Sequence, residues 1–204
     1  MNKALVIIGA GGHGKVVADT ALKNGYENIV FFDRNGEIKT CGGFPVLGKN
    51  DMTEQYKFWD FFVAIGNADI REKISEFLKE KECNIVSLIH PNAIIGRGVK
   101  IGKGTAVMAG AVINADAVIG EGCIINTASS ADHDCVVGDY SHISVGAHLA
   151  GTVFVGKKTW IGAGATVSNN IEICGECMIG AGAVVLKNIS EKGTYIGVPA
   201  VKMK

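Results

Sequence analysis

Residues 113–125 read Ile113-Asn114-Ala115-Asp116-Ala117-Val118-Ile119-Gly120-Glu121-Gly122-Cys123-Ile124-Ile125, with an aliphatic residue at every sixth place and a small one four places after each. Working outward, the aliphatic phase runs without a slip through Val107, Ile101 and Ile95 on one side. On the other it runs through Ala131, Val137, Ile143, Leu149, Val155, Ile161, Val167, Ile173, Ile179 and Val185. The second phase holds small or β-branched side chains such as Thr105, Ala111, Ser129, Cys135, Ser141 and Thr159. A period of six is neither the 3.6 of a helix nor the 2 of a simple strand; it is an internal repeat that marks a solenoid. Six residues make one short strand and its corner, and three such faces close a triangular coil of eighteen. The aliphatic side chain points inside, where the coils above and below cover it. Backbone hydrogen bonds run from coil to coil at a spacing of about 4.8 Å. The repeat covers residues 93–187, about five coils.

The composition agrees. Of 204 residues, 48% are hydrophobic, and 28 Gly stand beside only 3 Pro. A disordered Gly-rich chain would lack Val and Ile, and this one is rich in both. Two glycine phases separate. Gly96, Gly102, Gly120, Gly138, Gly156, Gly162 and Gly180 directly follow the aliphatic residue. Gly98, Gly104, Gly110, Gly122, Gly146, Gly164 and Gly182 lie two places further on, where corners needing positive φ are expected. Twenty basic residues balance twenty acidic ones, which removes the electrostatic case for nucleic acid or an anionic membrane as partner. No apolar run reaches the length of a membrane span. Lys3–Ile8 reads as a buried strand and not as a signal peptide, because glycines and a helical pattern follow it; a cytoplasmic location is expected. Six scattered cysteines suit reduced thiols. Cys123, Cys135 and Cys177 fall on the small phase and read as packing residues. Cys174 is expected on the opposite side of the wall from Cys177, which argues against a shared metal.

Residues 1–90 follow a different plan, and a boundary near residue 91 divides 1–90 from 91–204. A strand at Lys3–Ile8 leads into Gly9-Ala10-Gly11-Gly12-His13-Gly14 and a helix through Lys23. Strands at 29–33, 61–65 and 85–89 follow, with a helix at 70–81 opened by Asn67 or Asp69. Alternation of this kind predicts a small parallel, Rossmann-like α/β unit. Gly9-x-Gly11-x-x-Gly14, with Asp33 about twenty residues on, matches a dinucleotide fingerprint. Ninety residues supply only one mononucleotide half, however, so a mononucleotide such as the UDP of a nucleotide sugar fits better than NAD. The alternative is that the glycines merely allow tight packing of strand on helix, a reading that leaves His13 without a reason.

Ala131 is the one break in the aliphatic phase, and it falls in Asn126-Thr127-Ala128-Ser129-Ser130-Ala131-Asp132-His133-Asp134-Cys135. A strict repeat departs from its rule where function overrides packing. His133, flanked by two carboxylates, has the chemistry of a general base. His142 lies half a coil on, hence on another face, so two prisms facing across a groove would bring the histidines together more readily than one. Solvated surface positions are the alternative for each. His148 and His90 are weaker candidates.

The hexapeptide repeat, the Gly-Gly-His-Gly loop, the Asn126–Cys135 stretch, Tyr140–Ala147 and the tail Ile196-Gly197-Val198-Pro199-Ala200 together resemble one family. It is the nucleotide-sugar and sialic-acid acetyltransferases of the hexapeptide-repeat, left-handed β-helix acyltransferases. More narrowly, the chain is similar to bacterial enzymes that N-acetylate UDP-4-amino-4,6-dideoxy-N-acetylglucosamine. The resemblance implies an α/β nucleotide-sugar unit followed by a left-handed parallel β-helix, acetyl-CoA as co-substrate, no metal, and a homotrimer with acyl-CoA in the grooves between prisms. It implies His133 as general base, Asp134 as its carboxylate partner (often Glu in the family, one methylene longer), and His142 close to the thioester carbonyl. The acceptor is expected against Gly11, Gly12, His13, Gly14, Asp33, Asn67 and Asn126. The CoA is expected against His142, Gly151, Ala163, Gly180, Ala181 and Lys187. Competing readings are O-acetylation of a sialic acid or related sugar, a non-catalytic nucleotide-sugar-binding trimer, and a dehydrogenase.

Overall fold

A computed structural model describes residues 3–48 and 52–203. The chain divides into two compact units, Met1–Pro91 and Asn92–Lys204.

In the first unit the elements are β1 (Lys3–Ile8), α1 (Gly12–Lys23), β2 (Tyr26–Phe32), β3 (Thr40–Cys41), β4 (Phe44–Leu47), α2 (Met52–Gln55), β5 (Asp60–Val63), α3 (Ala68–Glu80) and β6 (Asn84–Ile85). They build one sheet in the order β3-β4-β2-β1-β5-β6, parallel except for the β3–β4 hairpin. From Ala4 on, β1 is apolar, because both faces are covered over Leu5–Ile8. Val6 and Ile8 join Phe61, Val63, Leu78 and Ile85 in one core cluster. Leu5 and Ile7 are fully buried on the other face. Neighbours of β1 are reached in opposite directions along the sheet, so a topological switch point falls at its carboxyl end. The Gly9–Gly14 loop starts there.

Two details differ from the sequence reading, and a third settles an alternative it left open. The expected strand at 85–89 is two short strands, Asn84–Ile85 and Leu88–Ile89. The hairpin of β3 and β4 was not expected, although Gly42-Gly43 between two short runs is a two-residue hairpin signal. Of the two openers offered for α3, Asn67 is the cap, its Oδ1 accepting the Ile70 N–H at 3.0 Å.

The second unit is a parallel β-helix. Two-residue strands pair with the strand eighteen residues on, as in Val112↔Ser130 and Ser130↔His148. Three stacks of such strands form three walls. Aliphatic-phase residues from Val107 to Val185, Ala131 included, are almost fully buried, so Ala131 departs from the repeat in size and not in direction. Every sixth residue from Gly98 to Gly182 has positive φ. Where that corner is not glycine it is Asp116, Ala128, Asp134, Tyr140, Thr152, Lys158, Asn170 or Glu176. The other glycine phase has a separate cause. A Cβ on Gly96 would lie 2.6 Å from the backbone nitrogen of Ala115, a residue of the next coil.

The small inward phase does more than save space. Thr105, Cys123, Cys135, Ser141 and Thr159 each donate to a carbonyl fifteen residues ahead, at 2.8, 3.3, 3.1, 3.0 and 3.1 Å. Thr105, Ser141 and Thr159 also accept a backbone N–H from the coil above. The thiols of Cys123 and Cys135 are therefore hydrogen-bond donors as well as packing groups. Cys174 and Cys177 correct the sequence reading. They do not face opposite sides of the wall, because the corner between them folds their sulfurs to 3.4 Å. Burial, aided by Cys174, pushes the Cys177 thiol up to about 11.

Candidate functional site

One side-chain cluster forms at a corner of the β-helix. The strand Ser130–Ala131 ends at Asp132, whose Oδ1 accepts the His133 backbone N–H at 2.7 Å and the Asn114 side-chain amide, also at 2.7 Å. These two bonds, the Asn114 one foremost, hold the Asp132 carboxyl below its usual range. Asp134 is the left-handed corner residue, with φ of 58°. That backbone turn brings its Oδ2 to 2.7 Å from His133 Nδ1, so the side chain needs no extra methylene to reach. A carboxylate can only accept, so Nδ1 carries the proton and Nε2 holds the lone pair. The Asp134 bond raises the His133 pKa, with the charges of Asp132 and Asp134 adding to it. Gly151 lies one coil on, where a Cβ would come within 2.5 Å of Nε2; only a glycine lets the imidazole lie against that backbone. The ring remains more than half exposed.

His142 forms a separate cluster on another wall. It is half-buried between Asn126, whose Nδ2 is 3.1 Å from His142 Nε2, and Trp160, whose ring lies parallel at 5.6 Å. The Trp160 indole N–H donates to Ser144 Oγ. His133 at its corner and His142 on its wall are thus separate groups of the prism. Asn126 stands with the second, not with the general-base candidate. His148 is exposed and bonded to Ser130 Oγ at 2.9 Å, and His90 is buried.

Of the positions expected along CoA, Ala163 and Ala181 stack on neighbouring coils of one exposed corner, where the Gly182 N–H donates to the Ala163 carbonyl at 2.9 Å. Gly180 is half-buried, and a Cβ there would meet Ile196 of the tail at 2.7 Å. Lys187 is exposed and two coils beyond Gly151, on the corner that carries His133.

In the α/β unit the four loop residues divide. Gly11 and Gly12 are exposed and have nothing within 4 Å of a notional Cβ. Gly14 is buried, its Cβ position 2.2 Å from the Gly9 carbonyl, so it serves the packing of α1 on the sheet. α1 begins without a side-chain cap bond at Gly11, so no N-cap side chain competes with an anion for its first N–H groups. His13 is mostly buried, and its Nε2 is the buried side-chain atom without a hydrogen-bond partner among the described residues. Burial, and then the nearby Arg71 charge, push its pKa down to about 4, so the ring is neutral. Asp33 shapes the loop: Oδ2 accepts the Ala10 N–H at 2.7 Å and Oδ1 the Asn35 N–H at 2.9 Å. Asn67 spends its oxygen on capping α3. Among the described residues no cluster of three or more His, Cys, Asp or Glu is placed to hold a metal, and no helix is long and apolar enough to cross a membrane.

Asn114, Ser144 and Trp160 were not singled out from the sequence, and Asp132 was read only as a carboxylate flanking His133, without its bond to Asn114. Their signal is the eighteen-residue coil and not the hexad: Asn114 and Asp132, like His142 and Trp160, are eighteen residues apart.

A hexapeptide β-helix with a histidine–carboxylate pair on one corner, joined to an α/β unit with an open glycine loop, defines a protein of the β-helix acyltransferase class. Comparison with known proteins narrows the class. The family model of the PglD N-terminal domain matches residues 4–78. UDP-N-acetylbacillosamine N-acetyltransferase of Bacillus subtilis (strain 168) is 36% identical over 114 residues, 52% of each chain. The acetyltransferase domain of PglB from Neisseria gonorrhoeae FA1090, solved with acetyl coenzyme A, is 39% identical over the full length of both chains, with a TM-score of 0.94. PerB from Caulobacter crescentus, solved with CoA and GDP-perosamine, is 36% identical over 98% of this chain and 97% of its own, also with a TM-score of 0.94. The chain belongs to the sugar N-acetyltransferases of the hexapeptide-repeat family, and its β-helix is the left-handed form that the resemblance implied. It spans about half or less of the length of the curated relatives it matches.

Proposed function

We propose that this chain transfers the acetyl group of acetyl-CoA to the 4-amino group of a UDP-linked 4-amino-4,6-dideoxy sugar, directly and with His133 as general base. The observation that carries this is the His133–Asp134 pair: Nδ1 lies 2.7 Å from a carboxylate oxygen, and Nε2 lies against Gly151. The sugar amine attacks the thioester carbonyl, and Nε2 takes the amine proton as the tetrahedral intermediate forms. Collapse expels the CoA thiolate, which recovers that proton from the imidazolium. Asp134 fixes the tautomer and stabilises the transient cation, so no covalent enzyme intermediate and no cysteine nucleophile are needed. His142, through a ring N–H, stabilises the oxyanion.

We assign nucleotide binding to residues 1–90, at Gly11, Gly12 and the α1 N-terminus with His13 and Asp33 beside them, and acetyl transfer to residues 91–204. The active form is a homotrimer in the cytoplasm. Two relatives support the acceptor class: the Bacillus protein is named for a UDP-sugar, and PerB was solved with a GDP-sugar.

The test is release of CoA thiol with a panel of UDP- and GDP-linked 4-amino-4,6-dideoxy sugars and free sialic acid. Acetylation of the UDP-linked amine is expected, with His133→Ala lowering kcat by about 10²–10⁴-fold and leaving acetyl-CoA binding nearly unchanged. Acetylation of sialic acid alone, or near-full activity in His133→Ala, overturns the reading.

A further inference from the structure

We infer that Trp160 is a positioning residue for His142, and that Trp160, Ser144 and Asn126 together hold His142 as the neutral imidazole with its proton on Nδ1. The inference rests on the reading above, in which His142 serves the acetyl group, but its central claim concerns the histidine itself.

Hydrogen-bond direction sets the tautomer. Asn126 Oδ1 accepts the Thr127 backbone N–H at 2.8 Å. That bond uses the oxygen end of the amide and fixes which end of Asn126 faces His142. The end that faces the ring is therefore Nδ2, which can only donate. Nε2, at 3.1 Å, must then be the acceptor. A neutral ring that accepts at Nε2 carries its hydrogen at Nδ1. An imidazolium would set N–H against N–H across that 3.1 Å contact, so the arrangement also disfavours protonation.

The amide fixes one ring nitrogen but not the plane of the ring, and this is where Trp160 enters. Trp160 occupies the same place as His142 on the adjacent rung of one wall. The two rings lie 6° from parallel with centroids 5.6 Å apart, an offset stack. Trp160 is about half exposed, a position where packing alone would leave a large side chain free to turn. It is held instead by its indole N–H, which donates to the hydroxyl of buried Ser144. The chain of support runs from the Ser144 hydroxyl to the indole, and from the indole to the plane of the imidazole. A donor to a developing oxyanion acts only when its N–H is aimed in advance, and a misplacement of about 1 Å can cost about 10²-fold.

Two measurements test this on the full-length protein. The first uses ¹⁵N NMR of the histidine side chains, assigned with His142→Gln. His142 is expected as the neutral Nδ1–H tautomer in the wild type, with that population lost in Asn126→Ala. An Nε2–H tautomer or an imidazolium at neutral pH in the wild type overturns the inference, whatever the protein acetylates. The second is steady-state kinetics. Trp160→Leu is expected to lower kcat about tenfold or more with KM for acetyl-CoA within about twofold. Trp160→Phe, which keeps an aromatic face but loses the bond to Ser144, restores part of the rate, to about the level of Ser144→Ala. Ser144→Ala, a smaller change that leaves the stack in place, gives an intermediate loss and covers the case in which Trp160→Leu fails to fold. A loss that falls on KM alone, or unchanged kcat in both Trp160→Leu and Ser144→Ala, rejects Trp160 as a positioning residue. Failure of every acceptor in the panel overturns the proposed function instead, and leaves the tautomer to be decided by NMR.

Discussion

At the scale of single residues, Asp134 combines two duties that usually conflict. It occupies a left-handed corner, a conformation that Asp tolerates better than most side chains, and from there its carboxylate reaches His133 Nδ1. That bond is the largest cause of the raised His133 pKa, and a general base works only when unprotonated. Activity should therefore fall on the acid side at a pH above the ordinary histidine value. In Asp134→Asn the raising bond is lost, so the acidic limb of the kcat/KM profile is expected to move to lower pH. The plateau should drop on the order of tenfold or more, because the tautomer is no longer enforced. A pH–rate profile of the two proteins checks this; an unmoved limb would mean that Asp134 does not tune His133. His133 and Asp134 were legible because they stand where the repeat breaks its own size rule. Asn114, Trp160 and the Asn114–Asp132 bond were not, since a hexad count compares neighbouring corners, whereas these side chains meet partners on the coil above or below.

At the scale of elements, the β-helix is held by two ladders, one of backbone and one of side chains. The side-chain ladder passes through Ser141 and Thr159 inside the prism. Ser141 Oγ accepts the Thr159 N–H at 3.2 Å, and Thr159 Oγ1 donates to the Cys174 carbonyl and accepts the Cys177 N–H at 3.3 Å. Thr159→Val keeps the volume and removes both Oγ1 bonds, which leaves a buried N–H and a buried carbonyl short of a partner. A loss of about 1–3 kcal/mol is expected from chemical denaturation, with little change at the exposed strand position Thr166→Val. Equal stability of Thr159→Val and the wild type would show that the ladder is packing alone. The strands and corners of this unit could be read one by one, because a period kept for sixteen hexads leaves no second register. The α/β unit was less legible. Its parallel strands read as apolar runs without alternation, so their ends blur, and the β3–β4 hairpin hides in two short runs of which one holds Pro45.

At the scale of the whole molecule, two units with different chemistries share one chain, and acid should separate them. His13 is buried and neutral in the α/β unit, with its pKa pushed down to about 4. A group whose folded pKa lies below its unfolded value near 6.5 binds more protons when unfolded. Stability from this group is then full above pH 6.5 and lost as pH falls toward 4, by up to about 3 kcal/mol. Denaturation of the wild type at pH 4.5 and 7.5 is expected to show that loss, and His13→Asn to flatten it. An equal pH slope in both proteins would place the acid sensitivity elsewhere. The amino-acid sequence by itself determined the coil, its corners, the α/β alternation and the candidate base, because each is written in a local period or in a break of one. Only the tertiary structure decided that Asn126 belongs with His142, that Trp160 stacks there, that Gly14 packs while Gly11 and Gly12 stay open, and that Cys174 meets Cys177. The histidine pairings depend on which groups one eighteen-residue coil presents to the next, and the glycine and cysteine contacts on how a loop or a corner folds, and a count along the chain does not contain those distances.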